Sequence, residues 1–252
     1  MAARPRTFNV RSRRMVSAVV LGLAGTARAQ DEFEIQVYDV ETARRGDPGL
    51  EVHLNEHLFP AAPDETHLTL EPHYGLRDWL ELGGYFQTSL STTGDLEYAG
   101  VKLRTKLRWP DRLWDGRLGL AINFELSNVP ARFEPNVWGS EVRSIVDFKE
   151  RWFYAAVNPI VSTDLAGKLA GHPQLEPAVK LGVQVARRVM LGAEGYAGFG
   201  PVDALGSENV LRAFAVADVR GAWWDLNVGV GINHGIADHP IGKLIFGIHP
   251  AQ

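Results

Sequence analysis

Apolar and polar residues alternate strictly along many segments of this chain, and that period restricts the folds open to it. Within residues 117–127, one face carries Leu118, Leu120, Ile122, Phe124 and Leu126, and polar or small residues stand between them. Successive side chains of a β-strand point to opposite faces, so a period of two indicates strands with one apolar face. No convincing amphipathic helix follows residue 30. We therefore predict an all-β fold.

Turn residues divide the chain into twelve alternating segments. The predicted strands cover residues 49–59, 66–76, 79–91, 97–109, 116–127, 138–148, 152–162, 174–185, 189–198, 209–219, 222–234 and 241–249. Most are about 10 to 13 residues long, close to the length that a tilted strand needs to cross a bilayer. Short turns alternate with longer loops, as they do in outer-membrane barrels. The pattern predicts a transmembrane antiparallel up-and-down β-barrel of about 12 strands.

The tryptophans provide an independent test of this fold. Six of the seven flank the short turns: Trp79, Trp109, Trp114, Trp152, Trp223 and Trp224. Such amphipathic rings collect at the membrane interface and form the girdles of barrels. The competing fold is a soluble secreted sandwich or lipocalin-like barrel with an apolar core. That fold gives no reason for Trp to gather at one end, and it leaves twelve apolar rows without a second layer.

The N-terminus has the organisation of a cleaved export signal. Residues 1–14 carry five Arg and no acid, residues 15–25 are apolar, and Ala27 and Ala29 form a small-x-small cleavage site. The apolar core is too short for a membrane anchor helix. We expect a signal peptide at 1–29, a periplasmic N-terminal segment at 30–48 and an outer-membrane barrel at 49–252. The expected location is the bacterial outer membrane, reached through the barrel-assembly machinery.

Charge and cysteine content exclude several function classes. Cleavage after residue 29 removes six Arg and no acid, which takes the formal charge from −4 to about −10. An acidic mature protein is a poor general nucleic-acid binder, so we expect no nucleic-acid partner. The chain has no Cys, which excludes disulfides, Cys-based metal sites and a catalytic thiol.

Residues 101–109 read VKLRTKLRW and place four cations on one face of a predicted strand. If that face met lipid, each cation would cost roughly 2 to 4 kcal/mol at mid-depth, so the cations must face the lumen. The same parity turns several other charged residues inward. The candidate pore-lining residues are Lys102, Arg104, Lys106, Arg108, Arg117, Glu71, Glu81, Glu125, Glu176 and Glu194.

Two interpretations of this basic row stay open. In the first, the row attracts a small anionic solute through a narrow pore, because a focused field raises local counter-ion concentration. In the second, it is neutralised by Glu81 and Glu125 on the neighbouring strands, because interior charges are usually paired. The first predicts a passive channel for small solutes with weak anion preference. The second predicts a closed structural or surface-display barrel without flux.

Several stretches resemble an uncharacterised family of proteobacterial outer-membrane barrels. They are residues 33–38 (FEIQVY), 70–72 (LEP), 81–85 (ELGGY), 99–102 (AGVK), 176–180 (EPAVK) and 227–231 (NVGVG). That family is similar to the transporter-like barrels of the meta-pathway of phenol degradation. The resemblance covers most of residues 32–248 and implies an outer-membrane location, a barrel fold and a transport role. It brings no site residues.

The residues give little support to enzymatic or metal chemistry. Outer-membrane phospholipases pair a lipid-facing Ser with a His, whereas Ser144, which we expect to face outward with Asn158, is preceded two positions earlier by Val142. Four histidines share lumen parity on the first two strands: His53, His57, His67 and His73. Imidazoles in a wet lumen are usually plain polar lining, so we expect neither a metal nor another cofactor and no enzymatic activity.

Overall fold

The computed structural model describes residues 31–58, 66–91, 93–134, 137–167, 170–207, 209–234 and 240–250. The predicted signal peptide, residues 1–29, lies outside the described residues. Among the described residues, no helix has the length and apolar character needed to cross a membrane.

Within this part of the chain, the strands form one antiparallel barrel of twelve. Their bounds are β1 Pro48–His57, β2 Thr66–Arg77, β3 Leu80–Leu90, β4 Leu96–Arg108, β5 Leu118–Asn128, β6 Trp138–Glu150, β7 Phe153–Asn158 with Ile160–Asp164, β8 Gln174–Leu175 with Ala178–Ala186, β9 Val189–Gly198, β10 Val210–Arg220, β11 Trp224–His234 and β12 Pro240–Ile248. No bound departs from the prediction by more than two residues. The period-two pattern was therefore sufficient to place every strand.

Consecutive strands pair with each other, and the first strand closes the sheet by pairing with the last. In the closing pair, Leu50 lies opposite Ile248 and His57 opposite Ile241. Closure removes both sheet edges, which satisfies the backbone groups that lipid cannot hydrogen-bond. The predicted up-and-down barrel is confirmed.

Prolines interrupt two of the strands. Pro159 separates the two segments of β7, and both segments pair with β6. Pro177 falls in the gap between the two segments of β8. Proline has no backbone N–H to donate to the ladder, so a local break is expected at each position. Pro72, by contrast, stays inside β2 with its ring directed outward.

The outward face is apolar on successive strands. Leu103 is 68% exposed on β4, and Ile232 is 61% exposed on β11. A soluble protein does not leave such rows in contact with water, whereas a membrane barrel presents them to lipid. Trp79, Trp109, Trp114, Trp152 and Trp223 are all exposed at the short-turn end. This is the girdle that the sequence predicted.

Helical structure among the described residues is limited to two short connections. A four-residue helical turn, Leu113–Gly116, joins β4 to β5, and Trp114 and Asp115 within it have positive φ. A 3-10 turn, Val202–Ala204, lies in the long loop between β9 and β10. Neither enters the barrel wall, so both faces of the wall are defined by strands alone.

The lumen as the candidate functional site

The basic row of β4 faces the lumen. Lys102, Arg104 and Lys106 are all buried, whereas the alternating residues Leu103 and Leu107 face outward. Arg108, the last residue of the strand, is half-buried and donates hydrogen bonds to the Thr42 hydroxyl and the Asp78 carbonyl. The cost of placing charge in lipid predicted that this row faces inward, and the row faces inward in the structure.

The centre of the row is neutralised by acids on neighbouring strands. Arg104 contacts Glu71 at 2.5 Å and Glu81 at 2.7 Å. Lys102 lies 3.6 Å from Glu125 on β5. Glu81 and Glu125 are therefore partners of the row, as the second interpretation of the sequence expected. Glu81 also lies opposite Lys106 in the strand register, but no close ion pair joins the two side chains.

Residues 31–47, here called the N-terminal segment, run inside the barrel over 31–40 and along its rim over 41–47, and they supply the remaining partners. Phe33, Ile35, Val37 and Val40 of this segment are all buried against the inner wall. Residues 30–48 were predicted to lie in the periplasm, whereas residues 31–40 lie within the lumen and residues 41–47 along its rim. The physical reason is its composition, because its acids match cations of the wall and its apolar side chains fill the space between them.

Acids of the N-terminal segment pair with cations at successive levels of the lumen. Asp31 lies 2.7 Å from Lys102, and Glu34 lies 3.3 Å from Lys102. Glu34 also contacts Arg143 of β6 at 3.1 Å. Glu32 lies 3.0 Å from Arg212 of β10. Because Lys102, Arg143 and Arg212 are buried, these pairs hold the segment to three different parts of the wall.

Tyr38 is the most elaborate anchor of the segment. The side chain of Asn158 accepts a hydrogen bond from the Tyr38 backbone N–H at 2.7 Å and donates one to the Tyr38 carbonyl at 3.0 Å. The Tyr38 hydroxyl donates to Glu34 at 2.7 Å and is in close contact with the Tyr85 hydroxyl. The guanidinium of Arg143 lies 4.1 Å from the centre of the Tyr38 ring, a cation–π contact.

The segment leaves the lumen at the short-turn end. Lys106 lies 3.7 Å from Asp39 and donates to the Glu41 carbonyl at 2.5 Å. Lys149 of β6 pairs with the Glu41 carboxylate at 2.7 Å. The next residues follow the rim, where the Ala43 N–H donates to Glu81 at 2.5 Å. The chain then turns into β1, so this end of the segment is fixed to the barrel covalently.

Three of the predicted lining residues lie apart from the basic row. Glu194 is buried on β9 and pairs with Lys180 at 3.0 Å and with Lys243 at closer range. Glu176 is buried in the gap of β8 and accepts a hydrogen bond from the Ser162 hydroxyl at 2.7 Å. Arg117 is not a lining residue. It precedes β5, its side chain is half-exposed at the rim, and it pairs with Glu150 at 2.9 Å.

The residues considered for enzymatic and metal chemistry do not come together in one site. Ser144 is exposed on the outward face with Val142, as expected, whereas Asn158 faces inward and is fully buried. Of the four histidines, His67 stacks on Phe33 at 4.2 Å and is therefore part of the packing of the segment. His53 is fully buried beside Glu71. His53 and His67 therefore have different surroundings, and the His57 side chain lies outside the described residues.

Open space remains at the short-turn end of the barrel. A cavity of about 420 Å³ lies between the segment and the wall, with Glu51, Glu71, Asp218, Asp225 and Arg220 among its lining. A second cavity of about 230 Å³ adjoins the turns at 150–152 and 186–188. Arg151, Arg187, Arg188 and Arg220 line it without forming an ion pair to any described residue.

The lumenal position of the N-terminal segment and its contacts through Tyr38, Tyr85 and Asn158 were not predicted from the sequence. A usable signal was present, because Asp31, Glu32, Glu34, Asp39 and Glu41 give the segment a dense acidic charge beside a barrel with a basic row. Apolar residues also alternate with polar ones over Phe33–Val37. No predicted strand was available to pair with these residues. Their role becomes clear only when the segment is found beside the cations of the lumen wall.

The chain is similar in fold to solved outer-membrane channels. An outer-membrane channel from Pseudomonas putida F1 has a TM-score of 0.58 at 12% identity, with 86% of this chain and 100% of that one covered. A KdgM porin in complex with disordered oligogalacturonate has a TM-score of 0.55 at 8% identity, with 79% of this chain and 98% of that one covered. At such identities the likeness establishes an outer-membrane barrel fold and nothing finer.

No protein-family model matches the sequence, and no curated protein matches it either. The resemblance to the barrels of phenol degradation therefore gains no support beyond the shared fold.

Proposed function

We propose that this protein is an outer-membrane channel for small anionic solutes that the N-terminal segment closes in its resting state. The observation that carries the proposal is the pairing of segment acids with cations of the lumen wall. Twelve strands give a barrel between the eight whose interior side chains fill and the sixteen or more that leave an open channel. Here the segment occupies the intermediate space.

Departure of the segment would change the charge of the lumen. Lys102 would lose Asp31 and Glu34, Lys106 would lose Asp39 and the Glu41 carbonyl, and Arg212 would lose Glu32. Arg143 would keep Glu141, at 2.9 Å, as its acidic partner among the described residues. The cations of β4, β6 and β10 would then lack these acidic partners, and the positive field beside them would concentrate anions and speed their entry. Weak anion preference is thus a property of the open state.

The mouth at the short-turn end supports the same solute class. The charged lining of the smaller cavity consists of five cations and two acids: Lys149, Arg151, Arg187, Arg188 and Arg220 with Glu150 and Asp218. This local excess of cations raises the concentration of anions at the mouth. We place this mouth in the periplasm, since both ends of the barrel chain, Pro48 and Ile248, lie at the same end as the short turns.

Transport in this proposal is passive and not enzymatic, and the partners are the outer-membrane bilayer, the barrel-assembly machinery and the solute. The likeness to solved channels supports the outer-membrane location at the level of fold, and the sequence resemblance to transporter-like barrels fits a transport role. The solute class rests on the charges of this chain and on no neighbour's ligand.

A closed structural barrel without flux is the second candidate. It is favoured by the completeness of the pairing, because Lys102, Arg104 and Lys106 each have an acidic partner within 4 Å. Interior ion pairs of this kind need no transport role, since buried charges require partners in any protein. The two candidates differ in what happens when the segment is removed.

Conductance of the mature protein in planar bilayers distinguishes the two candidates. The comparison uses the intact chain, a chain lacking residues 31–43, and the full-length variant Asp31→Asn/Glu34→Gln. The deletion retains residues 44–47, whose backbone bonds to Gly75 hold the start of β1. We expect rare openings in the intact chain, frequent openings in the double variant and steady anion-preferring current in the deletion. Silence of a correctly folded deletion variant would favour the structural barrel.

A further inference from the structure

Three potential metal ligands converge on the inner faces of β1 and β2. Glu51 and Glu71 lie directly opposite each other in the strand register. His53 follows on the same face, with its Nε2 atom 3.1 Å from Glu71 Oε2 and 3.5 Å from Glu51 Oε2. All three ligand atoms lie within 4.8 Å of one another. Two carboxylates directly opposite each other repel, so this face of the ladder requires a positive charge between them.

The spacing of these atoms fits a tetrahedral zinc ion. Ligand bonds of about 2.0 to 2.1 Å place the donors of a tetrahedral site roughly 3.3 to 3.4 Å apart. The two separations from His53, 3.1 and 3.5 Å, lie on either side of that value. Only the two carboxylate oxygens need to approach each other, and a small rotation of Glu51, whose side chain is 23% exposed, can bring this about.

The cluster also has an access route. Glu51 and Glu71 line the cavity of about 420 Å³ at the short-turn end of the lumen. An ion can therefore reach the two carboxylates, against which the buried His53 is packed, without passing through the barrel wall, and the cavity leaves room for water as a fourth ligand. Three protein ligands with one open position are the arrangement of exchangeable zinc sites rather than of closed structural ones.

Neighbouring groups are arranged so that the donor atoms stay available. Arg104 contacts the other oxygen of Glu71, Oε1, at 2.5 Å and so fixes that carboxylate without using Oε2. The Gln36 amide of the N-terminal segment donates to Glu51 Oε2 at 3.1 Å, a neutral contact that an ion can displace. A single imidazole with two carboxylates and no thiolate suits Zn²⁺ among the common divalent ions.

We propose that Glu51, His53 and Glu71 form an exchangeable divalent-cation site, suited to zinc, on the inner wall of the barrel. The site stands apart from the proposed channel function, since metal binding can be measured on protein that carries no current. The competing explanation is that the Nε2–H of His53 is simply shared between the two carboxylates, and in that case zinc gains no stoichiometric site.

Zinc itself is the probe, titrated into the folded mature protein in detergent micelles against a chromophoric chelator. We expect one zinc per chain, and at least roughly 100-fold weaker binding in both Glu51→Gln and His53→Gln. Glu51→Gln guards against misfolding, because its side chain is partly exposed and its shape is kept. Asp225→Asn is the matched control, a carboxylate in the same cavity that lies 3.3 Å from His249; we expect its affinity to be unchanged.

X-ray absorption of the zinc-loaded protein should show one imidazole nitrogen among oxygen donors. Less than one equivalent bound would overturn the site, as would unchanged affinity in both Glu51→Gln and His53→Gln. Equal loss of binding in Asp225→Asn would also overturn it, because the ion would then be held by the charge of the cavity as a whole.

Discussion

The Asp31 carboxylate lies 2.7 Å from the Lys102 ammonium and joins the N-terminal segment to the centre of the basic row. This contact gives a structural role to both the N-terminal segment and the wall residue that it meets. Lys102 is a point of attachment for the segment as well as a lining residue. In the proposed channel, whether the lumen conducts depends on how firmly such contacts hold the segment.

Glu34→Gln should release the segment. The substitution keeps the side-chain shape but removes the charge that two buried cations share, Lys102 at 3.3 Å and Arg143 at 3.1 Å. Breaking one partner of a buried ion pair typically costs about 3 to 5 kcal/mol. The chain has no Cys, so a single Val37→Cys substitution reports release through its rate of maleimide labelling. We expect labelling at least about 100-fold faster in the Glu34→Gln background.

Glu150→Gln is the control for that measurement. It breaks a pair with Arg117 of similar length, 2.9 Å, but both side chains are at least 39% exposed at the rim. Exposed pairs are worth at most about 1 kcal/mol, and this one does not touch the segment. Labelling of the thiol introduced by Val37→Cys should therefore stay at its original rate. An equal acceleration in both variants would mean that the ion pairs of the segment do not hold it.

The sequence was sufficient for the wall of the barrel but not for its contents. Alternation fixes which residues share a face, and the cost of charge in lipid fixes which face is inward, so Lys102, Arg104 and Lys106 could be placed without a structure. Arg117 was wrongly assigned to the lumen because the alternation of β5 was extended to a residue that precedes the strand. Its neighbour Leu118 is the first residue of β5, and before that residue the strand geometry no longer determines which way a side chain points.

The contacts between the segment and the wall could not be predicted from local pattern. Asn158 and Tyr38 are far apart in sequence, and nothing in either neighbourhood indicates the other. Asn158 was expected to face outward, but it faces inward with Ala156 and Ile160, and the register with β6 is the same on both sides of Pro159. Both faces of residues 153–161 carry apolar side chains, so alternation alone did not determine which face is inward. Pairings of this kind depend on three-dimensional closure, which brings side chains from opposite walls to one polypeptide segment inside.

Asn158→Ala should weaken the segment without unfolding the barrel wall. The change removes both hydrogen bonds to the backbone of Tyr38, at 2.7 and 3.0 Å, and leaves that buried N–H and carbonyl without these partners. Each such group costs about 1 to 3 kcal/mol. We expect faster labelling of the Val37→Cys reporter together with a normal fast-migrating folded band on unheated gels. Ser144→Ala, a small change on the exposed face of β6, should leave the labelling rate unaltered. Slow labelling in Asn158→Ala would show that Tyr38 is held by its ring and hydroxyl alone.

The outward assignment of β4 predicts a dependence on depth. Leu103 stands near the middle of the strand and is 68% exposed, whereas Leu96 begins the strand at the loop end and is 66% exposed. Arginine at mid-membrane costs about 2 to 4 kcal/mol, and near the interface about 0 to 1. Leu103→Arg should therefore lower the free energy of unfolding in lipid vesicles by several times as much as Leu96→Arg. Because the two leucines are equally exposed, equal losses would contradict a bilayer around this face.

The origin of anion preference can be tested in the chain lacking residues 31–43. In that background Lys102 retains only Glu125, at 3.6 Å, of the acidic partners named above, and Lys106 has lost Asp39. Replacing both lysines with Gln should bring the reversal potential in a potassium chloride gradient close to that of an unselective pore, because the field that favours chloride is removed. Arg117→Gln removes one cation of the rim outside this row, so it should leave the reversal potential within error. If the lysine variant kept its full chloride preference, the selectivity would have to arise at the arginine-lined mouth, and Arg187→Gln/Arg188→Gln would then abolish it.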